Sequence, residues 1–303
     1  MAGPTATIYL TVKGLPRPIE FHDCPELADA IAAVLCGWEV RRLSWSGEEP
    51  LVRFRRHRRG YFWDAPWRVG SAGERRSASK TAIEAVCDFH YEFVGWYERE
   101  KPDHFCLHCA SALIGGRLVL FPSTHKAGKS LLCAQLALDG ARIFGDDVVG
   151  IDPQAGHGIA LGMLPRIRLP VPRRNVGEAL RAFLAERRGP SDEECQYVDL
   201  REDEIAGFGE AAPIGAIVIL KRRDSGPAAL EPIDAGAALK AMIAQNFALK
   251  KPPLSIFEEL RRITLACRSP RLCYADLAEA SGVLRRAFGA EAAAERSPAP
   301  CGS

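Results

Sequence analysis

Apolar and polar residues alternate in Thr7-Ile8-Tyr9-Leu10-Thr11-Val12, which predicts a strand with one buried face. Residues 25–35 carry a helical pattern, with Asp23 and Pro25 as start signals. Strands are predicted near 38–45 and 51–56, joined by a hairpin-like turn at 46–50. Residues 79–98 predict a long helix whose buried stripe is Ile83, Val86, Phe89, Phe93 and Trp96. Next come an apolar strand at 117–121, a loop, an apolar helical run at 131–138 and a short strand at 141–144. A buried strand at 148–152, a turn at 153–158 and strands at 159–163 and 165–170 follow. Residues 175–213 are rich in charge and predict helix and loop, either a solvated surface or a mobile substrate lid. A buried strand at 214–220, helices at 234–247 and 255–267, a strand at 272–274 and a helix at 275–288 complete the pattern. The Ala/Glu/Ser/Pro-rich residues 291–303 have little to bury and are expected to be disordered.

Composition narrows the class. A chain of 303 residues, 47% hydrophobic, can bury a large core in one or two domains. The net charge of +2 gives no general affinity for polyanions, and nucleic acid is not an expected partner. The Arg53–Trp63 segment interleaves arginines with aromatics, but it also fits a strand pair turning at Gly60 with its arginines in solvent. No run approaches the length of a membrane span, and the first residues lack the pattern of a signal peptide. The ten cysteines are scattered and read as reduced, mostly buried thiols. A cytoplasmic protein is the expectation.

The candidate chemistry is concentrated in residues 108–152. The strand at 117–121 leads through Ser123, Thr124, His125, Lys126 and Ala127 into Gly128-Lys129-Ser130 at the head of a helix. A loop feeding a helix N-terminus presents free N–H groups and the positive end of the helix dipole, which suits polyphosphate. Lys129 would reach the β- and γ-phosphates, and the Ser130 hydroxyl would ligate Mg2+. Asp146 and Asp147, at the end of the next strand, lie where ligands bind in open α/β sheets. The phosphate-loop pattern G-x-x-x-x-G-K-[ST] is broken at its first position, where Ser123 replaces glycine. His104, Cys106 and His108 alternate as metal ligands on a strand could, but no second ligand cluster accompanies them. Arg166 and Arg168 share a strand face and could meet the equatorial oxygens of a transferring phosphoryl group, or simply face solvent.

These residues resemble the HPr serine kinase/phosphorylase family. His108 stands fifteen residues before Ser123, and Asp139-Gly140-Ala141-Arg142-Ile143 takes the place of that family's helix end. Asp146-Asp147 matches its acid pair, and Leu164–Pro170 is similar to a segment of the wider HPr-kinase-related group. The resemblance covers roughly residues 104–170, and the signature specific to HPr kinases proper is not apparent. It implies an α/β phosphate-loop kinase-like core with a mixed sheet flanked by helices over 101–290, preceded by a small α+β module over 1–100. By the same resemblance His108 lies near the phosphates, residues 123–130 bind ATP, Ser130 and Asp147 hold Mg2+, and Asp146 acts as general base. The implied activity is phosphotransfer from ATP to a hydroxyl on an unidentified protein, peptide or small molecule, and HPr itself is not implied. A nucleotide-binding regulator without turnover, or an interaction module with a structural loop, remains open, as does a homo-oligomer.

Overall fold

The computed structural model describes residues 7–65, 77–123, 127–247 and 251–289. It is a mixed α/β structure with seven helices among those residues. The first sheet contains β1 (Thr7–Val12), β2 (Ile19–His22), β3 (Val40–Leu43), β4 (Val52–His57), β5 (Gly60–Asp64) and β6 (Ser77–Ser79), in the order β3-β1-β2-β4-β5-β6. Helices α1 (Pro25–Val34) and α2 (Ala82–Glu100) pack on it. The buried stripe expected on α2, from Ile83 to Trp96, is buried throughout.

Strands β3 and β4 do not form a hairpin: β3 pairs with β1 at one edge, while β4 runs parallel to β2. The residues at 46–50 therefore span the sheet, which a local turn signal cannot reveal. Helix α2 begins at Ala82, because Ser79 is needed in β6 and Thr81 caps the helix by accepting from the Glu84 N–H. The Arg53–Trp63 segment is the β4–β5 hairpin. Two of its arginines serve the fold: Arg53 pairs with Glu20 and Asp64, and Arg56 with Glu26.

The second sheet is built from β7 (Phe105–Leu107), β8 (Ala110–Ile114), β9 (Arg117–Phe121), β10 (Arg142–Gly145), β11 (Val149–Asp152), β12 (His157–Ile159) and β16 (Ala211–Ile217). Its order is β10-β8-β9-β16-β12-β11-β7, with only the β9–β16 pair parallel. Strand β9 is apolar on both faces because both are covered. Val119 and Phe121 join the core under α3 (Lys129–Leu138), while Leu118 and Leu120 join the core under α5 (Ala235–Ala244) and α6 (Pro253–Ala266). A fully buried leucine contributes about 1.5–3 kcal/mol, so this strand is a strong anchor for the loop that follows it. The strand expected at 159–163 ends at Ile159, and Met163 instead forms an isolated bridge with Leu35.

The charged segment at 175–213 is more ordered than its composition suggested. After α4 (Glu178–Glu186), strands β14 (Arg188–Ser191) and β15 (Cys195–Val198) join β13 (Arg166–Arg168) in a third sheet. The run at 214–220 is likewise two elements, β16 and β17 (Ile219–Arg222). The latter pairs with β19 (Pro270–Tyr274), which also pairs with β18 (Ala229–Pro232). Helix α7 (Leu277–Gly289) packs against α3. The change from first to second sheet falls between Glu100 and Phe105. One hydrophobic core nevertheless runs across it, with Trp38 stacked on Phe208 at 3.6 Å between centroids. The expected tail at 291–303 lies outside the described residues.

Candidate functional site

The site arises from an interruption in one antiparallel ribbon. Strands β7 and β8 pair with β11 and β10 respectively, with Leu107 opposite Val149 and Ser111 opposite Gly145. Between those pairs the ladder opens, and His108–Ala110 face Asp146–Val148 without strand pairing. Gly145 permits the turn: a Cβ there would lie 2.4 Å from the Val148 carbonyl oxygen. Since β9 and β10 both run antiparallel to β8, their carboxyl ends emerge at one sheet edge. The acid pair is thereby set beside the N-terminus of α3.

That N-terminus is shaped by Gly128, which has φ +93° in the left-handed region and caps the helix. A side chain there would also strike the Tyr274 hydroxyl, 2.6 Å from an added Cβ. Tyr274 donates to the Ala127 carbonyl at 3.0 Å and so pins the end of the loop. Lys129 is buried, its ammonium donating to the Ser123 carbonyl at 2.9 Å and lying 3.4 Å from His108 Nε2. Ser123 is buried too, and its hydroxyl accepts from the Leu220 N–H at 3.0 Å. No positive φ occurs at Ser123, so the missing glycine is not needed for backbone conformation there. Thr124, His125 and Lys126 lie outside the described residues.

Asp146 is the buried member of the acid pair. Its Oδ2 accepts from the Arg166 N–H at 3.1 Å, while the Ser130 hydroxyl also hydrogen-bonds to the carboxylate. Its Oδ1 is buried with no partner. Burial, reinforced by the negative charge of Asp147, pushes its pKa up to about 7 despite those hydrogen bonds. Asp147 behaves oppositely. Burial alone would raise its pKa, but the neighbouring His108 imidazole and the Arg166 guanidinium hold it well below the usual carboxylate range. The contacts are 3.6 Å from His108 Nε2 and 3.7 Å from Arg166 Nη2. His90 lies nearby with its Nε2 buried and unpartnered; desolvation lowers its pKa to about 4, so it is neutral at pH 7 and adds no charge.

His108 Nε2 thus lies between an ammonium and a carboxylate, and one nitrogen cannot accept from Lys129 while donating to Asp147. Its ring stacks on Phe247 at 5.7 Å, and its backbone N–H donates to the Gln245 carbonyl at 2.7 Å, so α5 helps to fix it. Arg166 is set by the Cys87 thiol, to which Nη1 donates at 2.8 Å, and Cys87 in turn contacts the Tyr197 hydroxyl. Arg168 shares that strand face but is exposed, opposite Cys195. Of the expected site residues, Ser123, Gly128, Lys129, Ser130, His108, Asp146, Asp147 and Arg166 gather in one cluster. Ala127 lies on the loop just above it.

The alternating His104, Cys106 and His108 do not converge. His104 faces Tyr97 and Asp152, and Cys106 is buried in the core. No group of three or more His, Cys, Asp or Glu side chains suited to a metal occurs among the described residues. Mg2+ needs fewer protein ligands, one or two carboxylates plus phosphate oxygens, and the orphaned Asp146 Oδ1 beside Ser130 fits that all-oxygen demand. Sequence reasoning missed Tyr274, Cys87, His90 and Tyr197, which no local motif marks. Among the described residues no helix is long and apolar enough to cross a membrane.

No family model matches this chain, and neither does any curated protein. Among solved structures, the Hpr(Ser) kinase/phosphatase from Coxiella burnetii is similar over 63% of this chain and 95% of that one, at 12% identity and a TM-score of 0.28. That is a distant structural relation, too slight to carry an argument about function.

Proposed function

We propose that this chain binds a nucleoside triphosphate with Mg2+ and transfers a phosphoryl group to a hydroxyl acceptor. The observation that carries the reading is the buried, unpartnered Oδ1 of Asp146, beside Ser130 at the head of α3. A buried carboxylate with a vacant oxygen calls for a cation or a proton. The polyphosphate itself would lie on the loop at Gly128, with Lys129 leaving the Ser123 carbonyl to meet it.

Here the two carboxylates exchange the roles expected from the sequence. Asp146 and Ser130 hold Mg2+, which when bound neutralises charge on the phosphate oxygens. Asp147 is the more exposed of the pair and stands against His108, so it is the carboxylate an acceptor hydroxyl can reach. Its depressed pKa suits it to orient that hydroxyl, and loose phosphoryl transfer asks little more of a base. Arg166, which holds Asp147 from the other side, is placed to balance charge as the phosphoryl group moves.

Titrating ATP with and without Mg2+ into two variants tests the assignment. Asp146→Asn is expected to lose the Mg2+-dependent part of ATP binding, while Asp147→Asn keeps it and loses turnover of γ-labelled ATP. Loss of Mg2+ dependence in Asp147→Asn alone would return the roles to the sequence-based assignment. Unchanged Mg2+ dependence in both would remove the acid pair from the site.

A further inference from the structure

Helix α6 packs an apolar side inward, with Ile256, Leu260, Ile263 and Thr264 buried, yet its outer side is not simply polar. There Leu254 is 68% exposed, Leu265 61% and Phe257 41%, and Ile243 on the adjoining α5 is 45% exposed. These four are half of the large apolar side chains exposed among the described residues, a concentration that scattered surface leucines do not produce. Counting about 100° per residue, Leu254, Glu258, Arg261 and Leu265 fall within an arc of about 60°, at the four-three-four spacing of a helix–helix seam. Glu258 and Arg261, in the middle of this stripe, are exposed and have no ion-pair partner among the described residues, whereas the adjacent Arg262 is engaged by Glu259.

We propose that this stripe docks on the same stripe of a second copy of the chain, α6 antiparallel to α6. The order of the residues carries the argument. A two-fold axis between residues 259 and 260 sets Leu254 of each copy opposite Leu265 of the other, and Glu258 opposite Arg261. One stripe thus supplies both sides of two apolar contacts and two ion pairs, and the charges left unpaired within the chain find partners across the axis. A parallel arrangement would instead set Glu258 on Glu258 and Arg261 on Arg261, and an anionic lipid surface would meet Glu258 in the middle of the stripe. Helices α5 and α6 cover the sheet face opposite α3, so the dimer leaves the phosphate-loop candidate open, and the inference is independent of the nucleotide reading. Helix α6 has 14 residues and is about 21 Å long, too short to bury the ~1,600 Å² of a standard interface, so the dimer is reversible with a Kd of order micromolar.

Sedimentation velocity of the full chain from about 1 to 100 μM, without nucleotide, should show wild type passing from monomer to dimer. Glu258→Arg alone and Arg261→Glu alone each place four like charges at the axis, and each is expected to raise the dissociation constant at least tenfold. Both positions are exposed, so the variants should melt with wild type. Mixing the two variants in equal amounts sets arginine against glutamate at every charged contact and should restore the dimer, as should one chain carrying both substitutions. Wild type that stays monomeric at every concentration would overturn the proposal, and binding of that monomer to phosphatidylserine vesicles would give the stripe to a lipid surface instead. A dimer insensitive to both substitutions, or dissociated variants that fail to reassociate when mixed, would equally overturn it.

Discussion

Replacing Asp146 with Asn should stabilise the unliganded protein at pH 8, although it removes a charged group from the candidate site. Asn preserves the shape and can still accept from the Arg166 N–H through its amide oxygen. What it removes is a charge that the fold resists, since the folded carboxyl has a pKa near 7 against an ordinary unfolded value of 3.8. Because the folded pKa is raised, the unfolded chain releases its proton first as the pH climbs from about 4. Wild-type stability therefore falls between about pH 4 and pH 7 and levels off above. About three pH units at ~1.4 kcal/mol each set an upper bound near 4 kcal/mol. At roughly 2 °C per kcal/mol for a chain of this size, the variant should melt up to about 8 °C higher at pH 8. Near pH 4 the two should melt close together. Circular-dichroism melts at both pH values, without Mg2+ or nucleotide, make the comparison. A variant less stable than wild type at pH 8, or a difference that does not change with pH, would refute the claim that Asp146 carries an uncompensated buried charge.

Other substitutions test the surrounding geometry. Ser123→Gly restores the common phosphate-loop glycine but strips the Leu220 N–H of its buried acceptor, so urea denaturation should show a loss of about 1–3 kcal/mol. Gly128→Ala is expected to weaken Mg·ATP binding at least tenfold, because a Cβ at φ +93° meets the Tyr274 hydroxyl and distorts the loop end; unchanged affinity would mean that the loop end is not part of the site. Phe208→Ala removes a ring that stacks on Trp38 between the first sheet and the rest, and should cost about 3 kcal/mol in thermal or chemical melts.

Much of the fold was legible because apolar periodicity reports burial directly. The β9 run, the α2 stripe and the α3 helix follow from it. Pairing partners did not, since a turn signal such as that at 46–50 cannot tell a hairpin from a crossing connection. The charged segment at 175–213 misled for a related reason: β14 and β15 form a small, half-exposed sheet, and their polar residues look like loop. Within the site, the short motif fixed which residues gather, and the cluster from Lys129 to Asp147 was visible as spacing. Which carboxylate is orphaned and which is paired was not visible. That depends on Arg166 and His108, brought in from a distant strand and an interrupted ribbon. Ser123 shows the limit most clearly, because its departure from the motif is compensated by Leu220, nearly a hundred residues away.

A Mg2+-dependent nucleotide site built on Gly128, Lys129, Ser130 and Asp146 is the proposal on which the functional reading depends. Calorimetric titration of Mg·ATP into wild type and Lys129→Met tests it most directly. Saturable binding at micromolar ATP is expected in wild type, with at least a tenfold loss in the variant and no such binding to wild type when Mg2+ is chelated. No heat of binding to folded wild type at millimolar Mg·ATP would contradict it.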